Sequence, residues 1–508
     1  MRRWILASLV ALVLAGLSVL LGIRIANAQQ EKELEALKSL TYTPTTDFGV
    51  FYHAGERFAR SEPLYRTGRL PAVREARQNR GDGAMGFKYG PLFAMLFAPL
   101  AMVLPPAGAA TAWTALGLLS VLGIGVLLAR WTRRYVVLRV EPSGEVQHAP
   151  AWWGWIALVG LAFFIQINLV YGQTNLVFMA LLLYGLELYA TGRSWRGGAL
   201  IGLVTGMRLT PLVFLPYFLW KRQWKAGAGM VGGVLLSFAL PALWWGSTEF
   251  KAEMADWQQL IVHDDSLSAP AEANVKAVET AGQHQHLAHG SFYMRPARYQ
   301  SLPPMVLDTF AETYTPKPGQ NPVLLQGVRN FLSGVLNQRQ ATILAYSLCG
   351  LICFACALLC WRRFPRDDIR HPLEWALVLT AMLLVSPYSE RTHYVALAPA
   401  MMLVMARGWV GLQRMGARYT QAGWRPPAVA AGRGAIVAGF VFVAWFNLVN
   451  TPFMPVIVYK GYQVFHGYVV AALALFVTLA MWLRLEHARR AEATEERQTA
   501  AEKYSGAA

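Results

Sequence analysis

The chain has 508 residues, of which 55% are hydrophobic, 12% aromatic and only 15% charged, with a formal net charge of +17. This composition excludes a soluble globular protein. In a soluble chain the basic excess would point to nucleic acid, but here it sits mostly in short loops between apolar runs, as the positive-inside rule expects, and nucleic-acid binding is set aside.

A helix needs about 20 apolar residues to cross a hydrocarbon core of roughly 30 Å. Such runs recur near 4–23, 88–104, 107–129, 151–171, 174–191, 198–219, 226–245, 340–361, 372–387, 392–407, 427–449 and 464–483. The expected fold class is an all-α polytopic membrane protein with about 12 transmembrane helices and two large outer loops. The segments follow in order: a first helix (1–23), an outer loop (24–87), a transmembrane bundle (88–245), a second outer loop (246–339), C-terminal transmembrane helices (340–484) and a charged cytoplasmic tail (485–508).

The first apolar run follows Arg2 and Arg3 and ends before Ala26 and Ala28, whose spacing fits a cleavage site. Its length is nearer a span than the 7–15 residues of a signal h-region, so an uncleaved helix with a cytoplasmic N-terminus is expected. The outer loop that follows carries Asp47 beside aromatic residues, and the next acid is Glu56. Phe48, Phe51, Tyr52, Ala54, Gly55 and Phe58 recur with helical period, which predicts a short amphipathic helix along the membrane interface. Pro63 marks a turn at its end. Residues 66–86, rich in Arg, Gly and Asn, read as mobile, and the chain re-enters the membrane with Pro91 at a helix start.

Counting alternately from the first helix places Arg130, Arg133 and Arg134 outside, against the positive-inside rule. One segment between 88 and 200 is therefore expected to be a short or re-entrant pair. From Lys221 onward the alternation works, with residues 221–225, 362–370, 407–425 and the tail inside. The second outer loop holds Glu253, Asp256, His263, Asp264 and Asp265, then His284, His286 and His289. That histidine group reads as a solvated loop, with metal binding as the alternative. The four cysteines, 349, 353, 356 and 360, fall on one helical face and read as a packing stripe rather than a zinc or disulfide framework. No phosphate-binding loop, nucleophile elbow, zinc-protease helix or dinucleotide fingerprint is present, which argues against an ATP-driven machine or a soluble-type enzyme.

Several short motifs stand in order between residues 47 and 400. They are Asp47-Phe48-x-Val50-x-Tyr52-x-Ala54-Gly55, Pro63-Leu64-Tyr65, Phe87-x-Tyr89-Gly90-Pro91-Leu92-Phe93 and Ala98-Pro99-Leu100. Gly172-Gln173-x-Asn175-Leu176 follows, then Gly202 to Gly206 with Arg208-Leu209-Thr210-Pro211, then Arg298-Tyr299-Gln300-Ser301-Leu302, and last Ser386-Pro387-x-Ser389 with His393-Tyr394. Together they resemble glycosyltransferase family 87, polytopic sugar transferases of the GT-C architecture. The chain departs from the family pattern where Arg208 stands for Lys, Tyr299 for Asn, Glu390 for Trp and Thr392 for His.

The resemblance implies an inverting transferase that takes a mannose- or arabinofuranose-like sugar from a polyprenyl-phosphate donor. The acceptor would be a lipid-linked or envelope glycan, at the outer face of the plasma (inner) membrane. Besides the donor and the glycan or glycolipid acceptor, the implied partners are membrane lipids; no cofactor is implied and no divalent metal is indicated. Such a donor carries its own leaving group, so the protein needs a base for the acceptor hydroxyl and cations for the phosphate. Asp47 is the candidate base. Lys88, Arg208, Arg298, Arg391 and His393 are candidate phosphate ligands, and Tyr89 belongs with the donor site. Tyr52, Tyr89 and Tyr394 are candidates to stack on the sugar or line the lipid entry; Gln173, Asn175, Gln300 and Ser301 are motif residues that meet the acceptor or hold structure.

Each role has a plainer rival. Asp47 could cap a helix, Lys88 could snorkel, His393 could be a packing histidine, and Gln173 and Asn175 could simply bond helices together. Arg208 inside a membrane is costly without a partner, so function is its default reading. The competing class is a transporter or flippase of lipid-linked sugars, for which paired repeats with broken helices are expected and none is visible.

Overall fold

A computed structural model describes residues 47–65, 87–140, 146–262, 301–310, 334–365, 368–387, 389–416 and 467–505. The runs at 4–23 and 427–449, residues 66–86, the three histidines at 284, 286 and 289, Arg298 and Gln300 lie outside the described residues. What is described is helical apart from one hairpin, in which β1 (Val137–Val140) pairs antiparallel with β2 (Val146–His148).

In chain order the helices are α1 (Asp47–Ala59), α2 (Pro91–Val103), α3 (Pro106–Tyr135), α4 (Trp152–Gly160), α5 (Ala162–Tyr171), α6 (Asn175–Ala190), α7 (Ser194–Met207), α8 (Phe214–Trp220), α9 (Trp224–Trp245) and α10 (Ser247–Val262). They continue with α11 (Leu302–Phe310), α12 (Gln338–Leu359), α13 (Arg370–Val385), α14 (Ala398–Gly416) and α15 (Gly467–Ser505). Two tight 3-10 turns, Thr210–Val213 and Arg391–Leu397, precede α8 and α14.

Among the described residues, α3, α9, most of α12 and the first part of α15 are long and apolar enough to cross a membrane. At 30 residues, α3 reaches about 45 Å and overruns the hydrocarbon core. The run at 151–171 is broken: α4 and α5 meet at Leu161 with a bend of 64°, so they form one broken span or a re-entrant pair. α2 is also short, with 13 residues. Both fall between residues 88 and 200, where a short or re-entrant pair was expected. Large apolar side chains on α9 (Leu235, Leu243, Trp244) and α12 (Ile343, Leu351, Phe354) are exposed. Water penalises that arrangement and hydrocarbon does not. The protein is an integral membrane protein.

Two apolar clusters organise the chain. The larger is built from α3 to α9 and α11 to α15, around Trp131, Trp375, Tyr189 and Tyr468. The smaller gathers Phe48, Phe51, Phe58, Phe87, Phe93, Phe97 and Trp113. α1 belongs wholly to the second. The sequence suggested a helix lying on the interface, but seven of its thirteen residues are buried, and it packs against α2 and the neighbouring turns. α7 and α9 pack most closely, with Gly198, Gly202 and Gly206 of one against Ala226, Met230, Gly233 and Ser237 of the other, the small-residue contact that membrane helices favour.

The cysteine stripe is only partly a packing seam. Cys349 and Cys360 are buried, Cys353 is exposed, and all four are free. Lys221, expected in a cytoplasmic loop, is buried at the turn into α9. There its ammonium meets Glu374 of α13 at 2.8 Å and the Arg362 carbonyl, while the Tyr217 hydroxyl donates to the same carboxylate at 2.9 Å. The tail continues α15 as helix to Ser505.

Candidate active site

Polar side chains are cheapest in an apolar bundle at helix ends, where backbone groups already need partners. The candidate site is assembled from such ends. α5 stops at Gly172, which takes a left-handed conformation (φ 64°), so that Gln173 N–H returns to the Asn168 carbonyl at 2.8 Å. This is the glycine-terminated helix end that lets the chain turn sharply into α6. A Cβ on Gly172 would lie 2.6 Å from Cβ of Phe48. The α5–α6 turn therefore sits hard against the start of α1, and Trp113 donates its indole N–H to the Gly172 carbonyl at 2.8 Å.

That contact brings Asp47, at the start of α1, to Gln173, whose side-chain amide donates to the Asp47 carboxylate at 2.5 Å. A carboxylate in the first turn of a helix is also favoured by the helix dipole. The next residue, Thr174, donates to the Tyr89 hydroxyl at 3.2 Å. Tyr89 itself is fixed by its neighbour: Gly90 N–H bonds to the Met207 carbonyl at 2.9 Å, and any Cβ on Gly90 would strike the Gly206 carbonyl. The segment before α2 thus runs directly against the end of α7.

Arg208 follows that end in extended conformation and begins the break before α8. The sequence placed it within one apolar run; in the structure it stands at a helix interruption. Its guanidinium lies over the Tyr89 ring, 5.7 Å from the centroid, and donates to the Asn175 side-chain oxygen. Asn175 donates in turn to the Asn168 oxygen at 2.9 Å, and Asn168 donates to the carbonyls of Phe164 and Thr392. This chain ties α5, α6 and the Arg391–Leu397 turn together.

Arg208 also meets Nε2 of His393. Nδ1 of that ring accepts the Glu390 N–H at 3.0 Å, and the Glu390 carboxylate accepts the His393 N–H, a capping box with histidine in the usual place of Glu or Gln. With Nδ1 accepting, a neutral imidazole carries its proton on Nε2. Arg208 has only donors, so two donors face one another, and an anionic oxygen is the group that would satisfy both. Asp47, Arg208 and Glu390 all lie near enough to the Tyr89 hydroxyl to act on it electrostatically.

Beside Arg208 and His393 opens a small cleft. Ser386, Ser389 and Asn175 line it together with Phe178, Met179, Leu182, Val204 and Leu383. A largely apolar lining that includes a cation suits a lipid with an anionic head.

The structure thus gathers Asp47, Gln173, Asn175, Tyr89, Arg208 and His393. It sets other sequence-derived candidates elsewhere. Tyr52 is buried and donates to the Leu104 carbonyl at 3.0 Å. Tyr394 is buried in the larger cluster, stacked on Phe164 at 5.5 Å. Lys88 is exposed, with its carbonyl accepting from Trp257 at 3.2 Å. Arg391 opens the 3-10 turn beside His393. Ser301 is buried just before α11. Thr174, Asn168 and Glu390 belong to the network without having been singled out; an asparagine within an apolar run, as at Asn168, was the available signal. Among the described residues no three His, Cys, Asp or Glu side chains converge as a metal ion would need.

Fold and site together define an integral membrane protein with a charged cluster at helix breaks, facing an apolar cleft. The chain belongs to glycosyltransferase family 87, whose model matches residues 87–387, more than half of its length. It is similar to the polyprenol-phosphate-mannose-dependent alpha-(1-2)-phosphatidylinositol mannoside mannosyltransferase of Mycolicibacterium smegmatis, 32% identical over 220 residues. That alignment covers 41% of this chain and 46% of the relative. The Mycobacterium tuberculosis protein of the same description is 30% identical over 197 residues, covering 36% and 42%. A pentamannoside mannosyltransferase of Mycolicibacterium smegmatis is 32% identical over 149 residues, covering 29% and 32%. The matched part of the chain thus spans less than half the length of these curated relatives.

Proposed function

We propose that the protein is a membrane glycosyltransferase that moves mannose from a polyprenyl-phosphate donor to a hydroxyl of a glycolipid or envelope glycan. Family membership supports the transferase class, and the descriptions of the relatives support the donor and a phosphatidylinositol-mannoside-like acceptor. The observation that carries the reading is the junction of Asp47 and Arg208 through Gln173, Thr174, Tyr89 and Asn175, beside an apolar cleft.

In this reading the polyprenyl chain lies along Phe178, Met179 and Leu383, and its phosphate is met by Arg208 and His393 together. The acceptor hydroxyl attacks the anomeric carbon, and the bond from that carbon to the phosphate oxygen breaks. Its electron pair leaves on the phosphate, stabilised by the Arg208 guanidinium and the N–H of the neutral His393 ring. The hydroxyl proton passes to the Asp47 carboxylate, held by Gln173. A single displacement of this kind inverts the anomeric centre. The wider architecture proposed is about 12 transmembrane helices with loops 24–87 and 246–339 on the outer face of the plasma membrane, the site opening to that side.

The test is transfer by purified protein in lipid nanodiscs, with radiolabelled polyprenyl-phosphate-mannose, a panel of other polyprenyl-phosphate sugars and a membrane glycolipid extract. Label entering glycolipid with wild type, and lost in Asp47→Asn and Asp47→Ala, is the expected result. Donor that crosses the bilayer of a sealed vesicle without being consumed would instead establish a flippase.

A further inference from the structure

α10 belongs to the second outer loop by sequence, far from the residues of the site. In the structure it clamps the segment that carries Tyr89. The Glu253 carboxylate is buried, at 4% exposure, and a single oxygen accepts two consecutive backbone N–H groups, Leu64 at 3.0 Å and Tyr65 at 3.2 Å. One turn on, Trp257 donates its indole N–H to the Lys88 carbonyl at 3.2 Å and packs against the Tyr65 ring, 6.3 Å between centroids. Tyr65 closes the circuit by donating its hydroxyl to the Tyr89 carbonyl at 2.8 Å. Burial, and secondarily Glu253, push the Tyr65 hydroxyl well above its ordinary pKa, so it stays a donor.

One face of α10 therefore holds both flanks of residues 66–86, at 64–65 and at 87–89. A buried carboxylate is expensive unless its lone pairs are met, and here backbone donors meet it, as in an anion nest.

We infer that Glu253 is a positioning residue for the donor site, holding Leu64 and Tyr65 so that Tyr89, bonded to Tyr65, keeps its place beneath Arg208. The inference rests on the donor reading proposed above. It assigns Glu253 no contact with either substrate, and it joins the second outer loop to the first through backbone hydrogen bonds. Losing the clamp loosens Tyr89 and with it the seat of Arg208, so donor engagement suffers before the chemical step does.

The experiment compares wild type, Glu253→Ala and Glu253→Gln as full-length protein in nanodiscs, with three readouts. Amide hydrogen exchange of peptides containing Leu64 and Tyr65 reports the clamp alone. Binding of undecaprenyl phosphate reports the donor site, and transfer kinetics separate KM from kcat. Glu253→Ala should speed exchange at these two amides and weaken lipid-phosphate binding and raise donor KM about tenfold, the scale of losing hydrogen bonds to a charged acceptor, with kcat within threefold. Glu253→Gln, whose amide oxygen still accepts both N–H groups, should restore most of each. Faster exchange with unchanged binding and KM would overturn the positioning role. A fall in kcat alone, in proportion to folded protein, would mean that Glu253 only stabilises the fold and would overturn it too. If wild type neither binds lipid phosphate nor transfers sugar, the donor reading fails and the inference falls with it, while the exchange result still decides whether Glu253 forms the clamp.

Discussion

The side-chain amide of Gln173 donates to the Asp47 carboxylate at 2.5 Å, joining the start of α1 to the α5–α6 turn. The bond leaves a carboxylate that is oriented and only half-buried. A general base needs this combination, a fixed direction together with access for the acceptor.

Asp47→Asn is therefore expected to keep the fold, since an amide can still accept from Gln173, and to lower transfer by about 100-fold to 10,000-fold. Lipid-phosphate binding should stay within a few-fold of wild type. Gln173→Ala should cost less, on the order of tenfold in kcat, because the base survives and only its orientation is lost. Single-turnover transfer with saturating donor measures both. Undiminished transfer in Asp47→Asn would leave the carboxylate a structural helix-start residue.

Much of this site was legible in the sequence because its members fall in short motifs with unusual chemistry for an apolar chain: an acid before an aromatic run, Gly-Gln-x-Asn, an arginine before Thr-Pro, a histidine after Ser-Pro. What the sequence could not give is which of these share one place. Tyr52 and Tyr394 looked equal to Tyr89 as sugar-facing aromatics, yet both are buried, and only packing decides which tyrosine turns toward the apolar interior. The helix over Asp47–Ala59 was readable from its period, but a period cannot tell lipid from protein as the apolar neighbour. The breaks at Leu161 and Arg208 are likewise invisible to window hydropathy, which sees continuous apolar runs on either side.

Arg208 is the cation best placed for a phosphate, and it is held by Asn175, Tyr89 and His393. Arg208→Met should weaken undecaprenyl-phosphate binding by roughly tenfold to a hundredfold, the range for charge-assisted hydrogen bonds. Arg208→Lys should recover only part, because a point charge cannot reach a phosphate and Asn175 together as a guanidinium fork does. Equal binding by all three proteins would place the phosphate elsewhere.

Gly172 carries two constraints at once, a positive φ and contact with Phe48. Gly172→Ala should cost at least about 1–2 kcal/mol from the left-handed conformation alone, and more from the clash with Phe48. Because the turn sets Gln173 against Asp47, transfer should fall further than the loss of folded protein explains. Thermal unfolding alongside specific activity per folded molecule separates the two; activity that tracks folded protein would confine Gly172 to a structural role.

The Lys221–Glu374 pair offers a test of stability that is independent of the site. Both side chains are almost wholly buried, and the carboxylate also takes the Tyr217 hydroxyl. Removing one charge strands the other in a low-dielectric interior, so Lys221→Met or Glu374→Ala should each destabilise by about 3–5 kcal/mol. Replacing both with Met removes the stranded charge and should recover most of that loss. The Tyr217 hydroxyl would then be left without its acceptor, at a residual cost of about 1–3 kcal/mol, which Tyr217→Phe in the same background should relieve. None of these side chains touches the Asp47–Arg208 network, so donor KM should be unchanged in the compensated variant. Thermal unfolding in nanodiscs across the series checks the order. If the double substitution is no better than either single one, the pair contributes its energy through shape rather than charge.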